Sequence, residues 1–300
     1  MNAIWTRIVN SSLILSLLIL SSCKIADISQ SSQLSAQASE AKAMALLEES
    51  VSAQGFGVMQ QKNVYEFTAT DHWPGMMGNM VKLWPEQETK LRFRHNFNTF
   101  DGSGLFLSGE RAGDLIGVQS WTFYEQKKGS DQLINADTGT EDNSLEFGMV
   151  VFHYFLELPY RLQNAPIKRY YGERSLRGQK YDLVFASWGS ESPNPEHDQY
   201  ILWINKSTKL VDYSVYTLRD NNNPITRQKY GSIAYLDYRD VEGFKVPFKM
   251  PVLIDDGVIT AKSLDKYFHQ FTLESFAFGG FEEAELYPLE SIARMMDEKP

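Results

Sequence analysis

From residue 63 onward the chain is dominated by apolar positions recurring every second residue, the period of a strand with one buried face. Residues 63–70 read NVYEFTAT and predict a first strand. In KLRFRHNF, residues 90–97, Leu91, Phe93, His95 and Phe97 point one way and Arg92, Arg94 and Asn96 the other. A one-residue slip would expose the whole apolar set, so this alternation sets the register. SGLFLSG (103–109) and GVQSWTFYEQ (117–126) continue the series between Gly and Asp turn signals. In the second half the strand-like runs are GQKYDLVFASWG (178–189), DQYILWINKSTKLVDYSVYTLRD (198–220), KYGSIAYLDYRDVEGFKVPFKMPVLIDDG (229–257) and DKYFHQFTLESFAF (265–278). INKSTKL is a polar turn between two alternating runs and predicts a hairpin. A second turn falls at Glu242-Gly243, and Pro247 marks an edge or a strand end.

Two segments depart from this period. Residues 38–54 contain helix formers and neither Pro nor Gly. Met44, Leu47 and Val51 make one stripe, and Gly55 stands where a left-handed cap is expected, so an amphipathic helix is predicted. Residues 145–165, LEFGMVVFHYFLELPYRLQNA, are the most apolar stretch after residue 22. Glu157, Pro159 and Arg161 interrupt it, so it predicts a helix to about Leu158 and a short further turn rather than a membrane span. Residues 129–144 read as a polar loop, DHWPGMMGNM (71–80) as a Gly- and Met-containing loop, and 289–300 as a short terminal helix.

The amino terminus follows a different logic. Arg7 precedes the run Leu13–Leu20, and small serines flank it; from Ser11 to Ser22 it has only 12 residues, too short to span a bilayer. The pattern is that of a secretory signal. Leu20-Ser21-Ser22-Cys23 resembles a bacterial lipobox, in which the cysteine is acylated and becomes the new amino terminus. Lys24, rather than aspartate, follows Cys23; by that resemblance the outer membrane is the expected destination. Residues 1–22 are then a signal peptide, 23–37, rich in Ser, Ala and Gln, a flexible tether, and 38–300 one domain.

Composition narrows the partners. Cys23 is the only cysteine among 300 residues, so no internal disulfide can form, and acylation would remove an exposed thiol from an oxidising space. The net charge is −9, which argues against nucleic acid, and the acyl anchor must do the membrane work. Aromatics make up 13% of the chain, as sheets with large inward rings require.

The search for chemistry is largely negative. There is no Gly-x-Ser-x-Gly elbow, His-Glu-x-x-His, Walker loop or dinucleotide fingerprint. Of the five histidines, His72 borders the Gly-rich loop, His197 lies in Glu196-His197-Asp198, and His153 sits within the apolar segment; His95 and His269 read as sheet positions. Adjacent strand residues alternate sides, so at most two of residues 196–198 converge. Asp237, Asp240 and Glu242 cluster at a hairpin, where carboxylates cap backbone amides. No enzyme, cofactor or metal is expected.

One helix, a run of strands, an apolar helical insert and further strands resemble the LolA/LolB-like superfamily of lipoprotein carriers. YLDYRDVEGFKVPFKM (235–250) is similar to the hairpin those proteins carry, with Tyr238, Val241, Gly243, Phe244, Pro247 and Phe248 at the matching positions. The resemblance implies a mainly β (α+β) fold: a curved antiparallel sheet forming an incomplete barrel, with an N-terminal helix and an apolar helical lid. With the lipobox and the absence of catalytic motifs, the expected protein is lipid-anchored and non-enzymatic, on the periplasmic side of the outer membrane or exposed at the surface. Its apolar pocket would take a lipid, an acyl group or another hydrophobic molecule. Phe152, Phe155, Leu156 and Tyr160 are the expected lid lining, with Leu91, Phe93 and Trp203 on the sheet side. The alternatives are an envelope protein that meets a protein partner through residues 71–90 and 129–144, and an envelope hydrolase using His72 or His197.

Overall fold

The structure is a computed structural model that describes residues 25–135, 144–219, 229–255 and 257–288. Cys23 and the signal-like segment, the expected helix at 289–300 and part of the loop 129–144 lie outside the described residues.

Helix α1 (Ala36–Gln54) starts at Ser35, whose Oγ accepts from the Ala38 amide, and ends at Gly55. Gly55 has φ of 91°, and a Cβ there would lie 2.1 Å from the Gly243 carbonyl oxygen, so no other residue fits. The buried stripe of α1 overlaps the expected one at Leu47 and, half-buried, at Val51. Met44 is exposed and Ser39, Ala43, Leu46, Leu47 and Ser50 face inward. These small residues let the helix lie close to the sheet. There the Ser39 hydroxyl accepts from the Tyr170 amide at 2.8 Å and donates to its carbonyl at 3.1 Å.

Helix α2 (Phe56–Lys62) leads into a sheet of β1 (Val64–His72), β2 (Glu88–Asn96), β3 (Gly102–Phe106), β4 (Leu115–Gln119), β5 (Thr122–Gln126) and β6 (Leu133–Asn135). It continues with β7 (Ile167–Leu176), β8 (Gln179–Ser187), β9 (Gln199–Asn205), β10 (Val211–Thr217), β11 (Tyr230–Ala234), β12 (Leu236–Val241), β13 (Phe244–Leu253) and β14 (Tyr267–Phe278). The spatial order is β6-β5-β4-β3-β2-β1-β14-β13-β11-β10-β9-β8-β7, with β12 on β13. Every pair is antiparallel and the two ends do not meet, so the fold is the expected incomplete barrel. Strand β6 falls within residues expected to be loop. Pro247 pairs only with β12, because β13 reaches β14 from Lys249 onward, so it occupies an edge within the sheet.

The apolar insert forms α4 (Ser144–Leu156) and α5 (Leu158–Leu162), after a short α3 (Gly75–Val81) between β1 and β2. The break comes at Glu157 rather than Pro159. Proline occupies the second position of α5, where a missing N–H costs nothing. Helices α1, α2, α4 and α5 lie on the concave face, around Phe67, Phe93, Phe106 and Trp84. A smaller apolar cluster lies on the convex face of β7–β11, covered by Ile28 and Ile259. The segment expected to be a free tether is therefore docked where it enters the structure, with Ala26 and Ile28 buried. None of the described helices is long and apolar enough to cross a membrane.

Candidate functional site

Helix α4 uses two of its faces. Leu145, Met149, Phe152 and Leu156 fill the concave side over the amino-terminal strands, where Phe152 stacks on Phe271 at 4.1 Å. Phe147, Val150, Val151 and Tyr154 form a second stripe, spaced i, i+3, i+4 and i+7, and turn toward β8–β10. Between this stripe and the sheet lies a cavity of about 530 Å³. Tyr200 and Tyr216 line it from the sheet, Trp188 and Leu218 from the strand ends, and Phe100 and Trp121 from the turns at the opposite side. That volume lies within the ~300–1,000 Å³ of small-molecule sites. Trp121 is 70% exposed and stacks on Phe100 at 5.3 Å, an unusual position for an indole unless something covers it. The polar lining is Arg161 on the lid side and Glu196, His197, Asp198 and Thr217 opposite.

Of the residues expected to line a pocket, only Phe155 does so, packed on Tyr216 at 4.6 Å. Leu91, Phe93, Phe152 and Leu156 are buried core beneath α4. Tyr160 is wedged between Phe56 and Phe97, and its hydroxyl accepts from Gln60. Trp203 faces away from the lid, against Tyr181 and Tyr213 on the convex side. The run YILWI is buried throughout β9, so composition could not say which of its residues face the concave side; strand parity assigns Tyr200, Leu202 and Ile204 to it.

Behind Arg161 lies a buried polar cluster that links α4–α5 to the sheet. Glu157, fully buried, accepts from Tyr65 Oη at 2.6 Å and from Arg161 Nε at 2.7 Å, and Arg161 also donates to the Phe97 carbonyl at 2.6 Å. Burial pushes the Glu157 carboxyl up to about 7, against the pull of Arg161 and the Tyr65 hydroxyl. The His153 ring lies 4.2 Å from His95 and 3.7 Å from Phe100. Burial, reinforced by Arg161, pushes His95 down to about 3; burial first, then His95 and Arg161, hold His153 well below the usual histidine range. Both ring nitrogens of His95 are buried without a hydrogen-bond partner, so the pair is neutral and stacks as aromatic core.

This gives a pH prediction with a definite sign. A histidine whose folded pKa is depressed contributes stability that is lost as pH falls from about 6.5 toward 3. His95→Leu is expected to remove about 2 kcal/mol of the loss between pH 7 and pH 5. Urea titrations across that range read it as a flatter acid limb. An unchanged slope would refute a neutral buried His95.

His72 is a half-buried strand position opposite Glu88 and Gln270, and Asp71, not His72, points inward. Glu196 is exposed while Asp198 is buried, accepting from Thr217 Oγ1 and the Arg219 amide, both at 2.8 Å. Among the described residues no three His, Cys, Asp or Glu side chains converge as a metal ion requires.

No protein-family model matches the sequence, and no curated protein does. Solved structures do. An outer-membrane lipoprotein-sorting protein domain from Vibrio parahaemolyticus superposes with a TM-score of 0.51 at 9% identity, covering 84% of this chain and 98% of that one. A LolA superfamily protein from Nitrosomonas europaea gives 0.51 at 10% identity, covering 81% and 96%. At such identity the likeness speaks to architecture, and the chain has the LolA-like fold, a curved antiparallel sheet left open as an incomplete barrel with helices in its concavity.

Proposed function

We propose that the protein is a lipoprotein acylated at Cys23, held on the periplasmic side of the outer membrane, and that it binds one hydrophobic molecule in the cavity beside α4 without chemically changing it. The cavity carries this reading. Among the described residues it is walled by eight aromatic rings and three aliphatic side chains, with one arginine at the lid. Apolar walls with a few placed polar groups are the usual form of a ligand site. Because Glu157 titrates near neutrality, it offsets only part of the Arg161 charge, which leaves the lid side receptive to the acidic end of a fatty acid or similar amphiphile. The Vibrio domain is named for lipoprotein sorting, which agrees with a hydrophobic cargo.

Titration with a fluorescent fatty acid tests the reading. The wild-type protein is expected to bind it at micromolar concentration, and Val151→Trp, which fills the cavity from the exposed side of α4, to weaken binding at least ~10-fold, worth about 1.4 kcal/mol. No binding by the wild type, or equal binding by Val151→Trp, would sink it.

A further inference from the structure

Among the described residues, most of the exposed large apolar side chains gather at one edge of the sheet. Strands β1, β3 and β13 end there and β2 and β14 begin there, as their antiparallel pairing requires. In the β1–β2 connection, α3 presents Met76, Met77 and Met80 at 77%, 59% and 71% exposure. Ile254 and Val258 stand out from the β13–β14 connection, and Leu107 follows β3. Helix α3 packs against β14, so the methionines and the β13–β14 connection are neighbours. Exposed apolar side chains gathered this way mark an interaction surface, and thioethers suit a fluid partner because they adapt their shape.

The docked amino-terminal segment says which partner. Strand β10 ends and β9 begins at this same edge. There Arg219 Nη2 donates to the Ala26 carbonyl, and Gln199 accepts from the Ile28 amide at 2.9 Å while donating to Asp27 at 3.2 Å. Cys23 is three residues before Ala26, so at most roughly 11 Å of extended backbone separates the two. A free tether of 15 residues would let the domain tumble; one clamped at residues 26–28 does not.

We infer that this edge of the sheet rests on the lipid bilayer, with Met76, Met77, Met80, Ile254 and Val258 set into the headgroup region beside the acyl anchor. Asp198 and Leu218 of the cavity wall flank Arg219, so one end of the cavity reaches this edge, where a ligand can pass between bilayer and protein, while Phe100 and Trp121 bound its far end. The orientation rests on the reading of Cys23 as the attachment point.

Peroxide oxidation of methionine tests it without any substitution, since the sulfoxide is read peptide by peptide by mass spectrometry. The chain is tethered through Cys23 to vesicles of phosphatidylethanolamine and phosphatidylglycerol. The tether is the native acyl groups or, where the mass of the purified protein shows a free thiol, a maleimide phospholipid. Met76, Met77 and Met80 are expected to oxidise severalfold more slowly on vesicles than in solution, while Met44, exposed on α1, keeps its rate. Unchanged rates at the three methionines, or equal protection of Met44, overturn the orientation. The mass measurement tests native acylation separately, because the maleimide tether reproduces the attachment in either case.

Discussion

Arg161→Met is expected to lower the unfolding free energy by about 3–5 kcal/mol above pH 7, because it strands a buried carboxylate that now has a cationic partner. The loss should depend on pH in a definite direction. In the wild type Glu157 already titrates near 7, well above its unfolded value of 4.5. A carboxyl raised in this way stabilises the fold when protonated, fully so below the unfolded value, and that contribution disappears as pH rises through the folded value. Without Arg161 the folded value moves higher still. The variant should therefore recover much of its deficit at pH 5, where Glu157 takes a proton and keeps its hydrogen bond to Tyr65. Arg161→Met combined with Glu157→Gln should be more stable at pH 8 than Arg161→Met alone, since no buried charge is left. Urea denaturation of the wild type and these two variants at pH 5 and pH 8 decides it. A pH-independent deficit would mean that Arg161 acts through its guanidinium over the Phe97 and Phe100 rings.

The same residue joins fold to function. Among the described residues Arg161 is the one arginine lining the cavity, and it is the partner of Glu157, so an acid bound there would compete with Glu157 for the guanidinium. Ligand binding and the protonation of Glu157 are coupled, and binding of an anionic amphiphile should strengthen as pH falls toward 6, where the carboxyl is more often neutral.

Much of this architecture can be read along the chain, and what cannot has identifiable causes. Strand β2 was legible because Leu91, Phe93, His95 and Phe97 alternate with charges, and burial follows that alternation. The hairpin at Glu242-Gly243 was legible because both residues adopt positive φ, 53° and 96°, which Gly accepts freely. In β9 and α4 the signal saturates. Where every residue is apolar, periodicity cannot say which face meets the lid and which meets a second layer. That is how Trp203 came to be expected in the pocket, and Phe152 rather than Phe147 or Val151. The stripe 147-150-151-154 is helical in spacing and was available, but a second stripe on the same helix looks just as apolar. The face of α1 was legible only at Leu47 and Val51, for the opposite reason, since Ser39, Ala43 and Ser50 are buried for their small size. The clamp on residues 26–28 was invisible because its partners Gln199 and Arg219 are 171 and 193 residues away.

Asp71→Ala is expected to be as damaging as Arg161→Met, about 3–5 kcal/mol, and to act on the sheet edge that carries Met76, Met77 and Met80. The Asp71 carboxylate is fully buried and accepts from the indoles of Trp73 at 2.7 Å and Trp84 at 2.9 Å, while its other oxygen lies 3.0 Å from His269 Nδ1. Alanine leaves two buried indole donors without an acceptor, at ~1–3 kcal/mol each, besides a cavity. His269, stacked on Trp73 at 3.8 Å, loses the partner that fixes its ring. Trp73 and Trp84 are the two fixed points between which α3 and its exposed methionines are strung. Asp71→Asn keeps one acceptor oxygen and should lose about half as much. Hydrogen exchange separates a local from a global effect: amides 73–87 should open first in Asp71→Ala, while β8–β10 around the cavity keep their protection relative to global unfolding. If residues 73–87 exchanged no faster than β9, the carboxylate would not be what holds the α3 connection to the sheet. With the connection loosened, Met76, Met77 and Met80 would meet the bilayer as a mobile loop, and the vesicle protection expected of them should weaken although each methionine is still present.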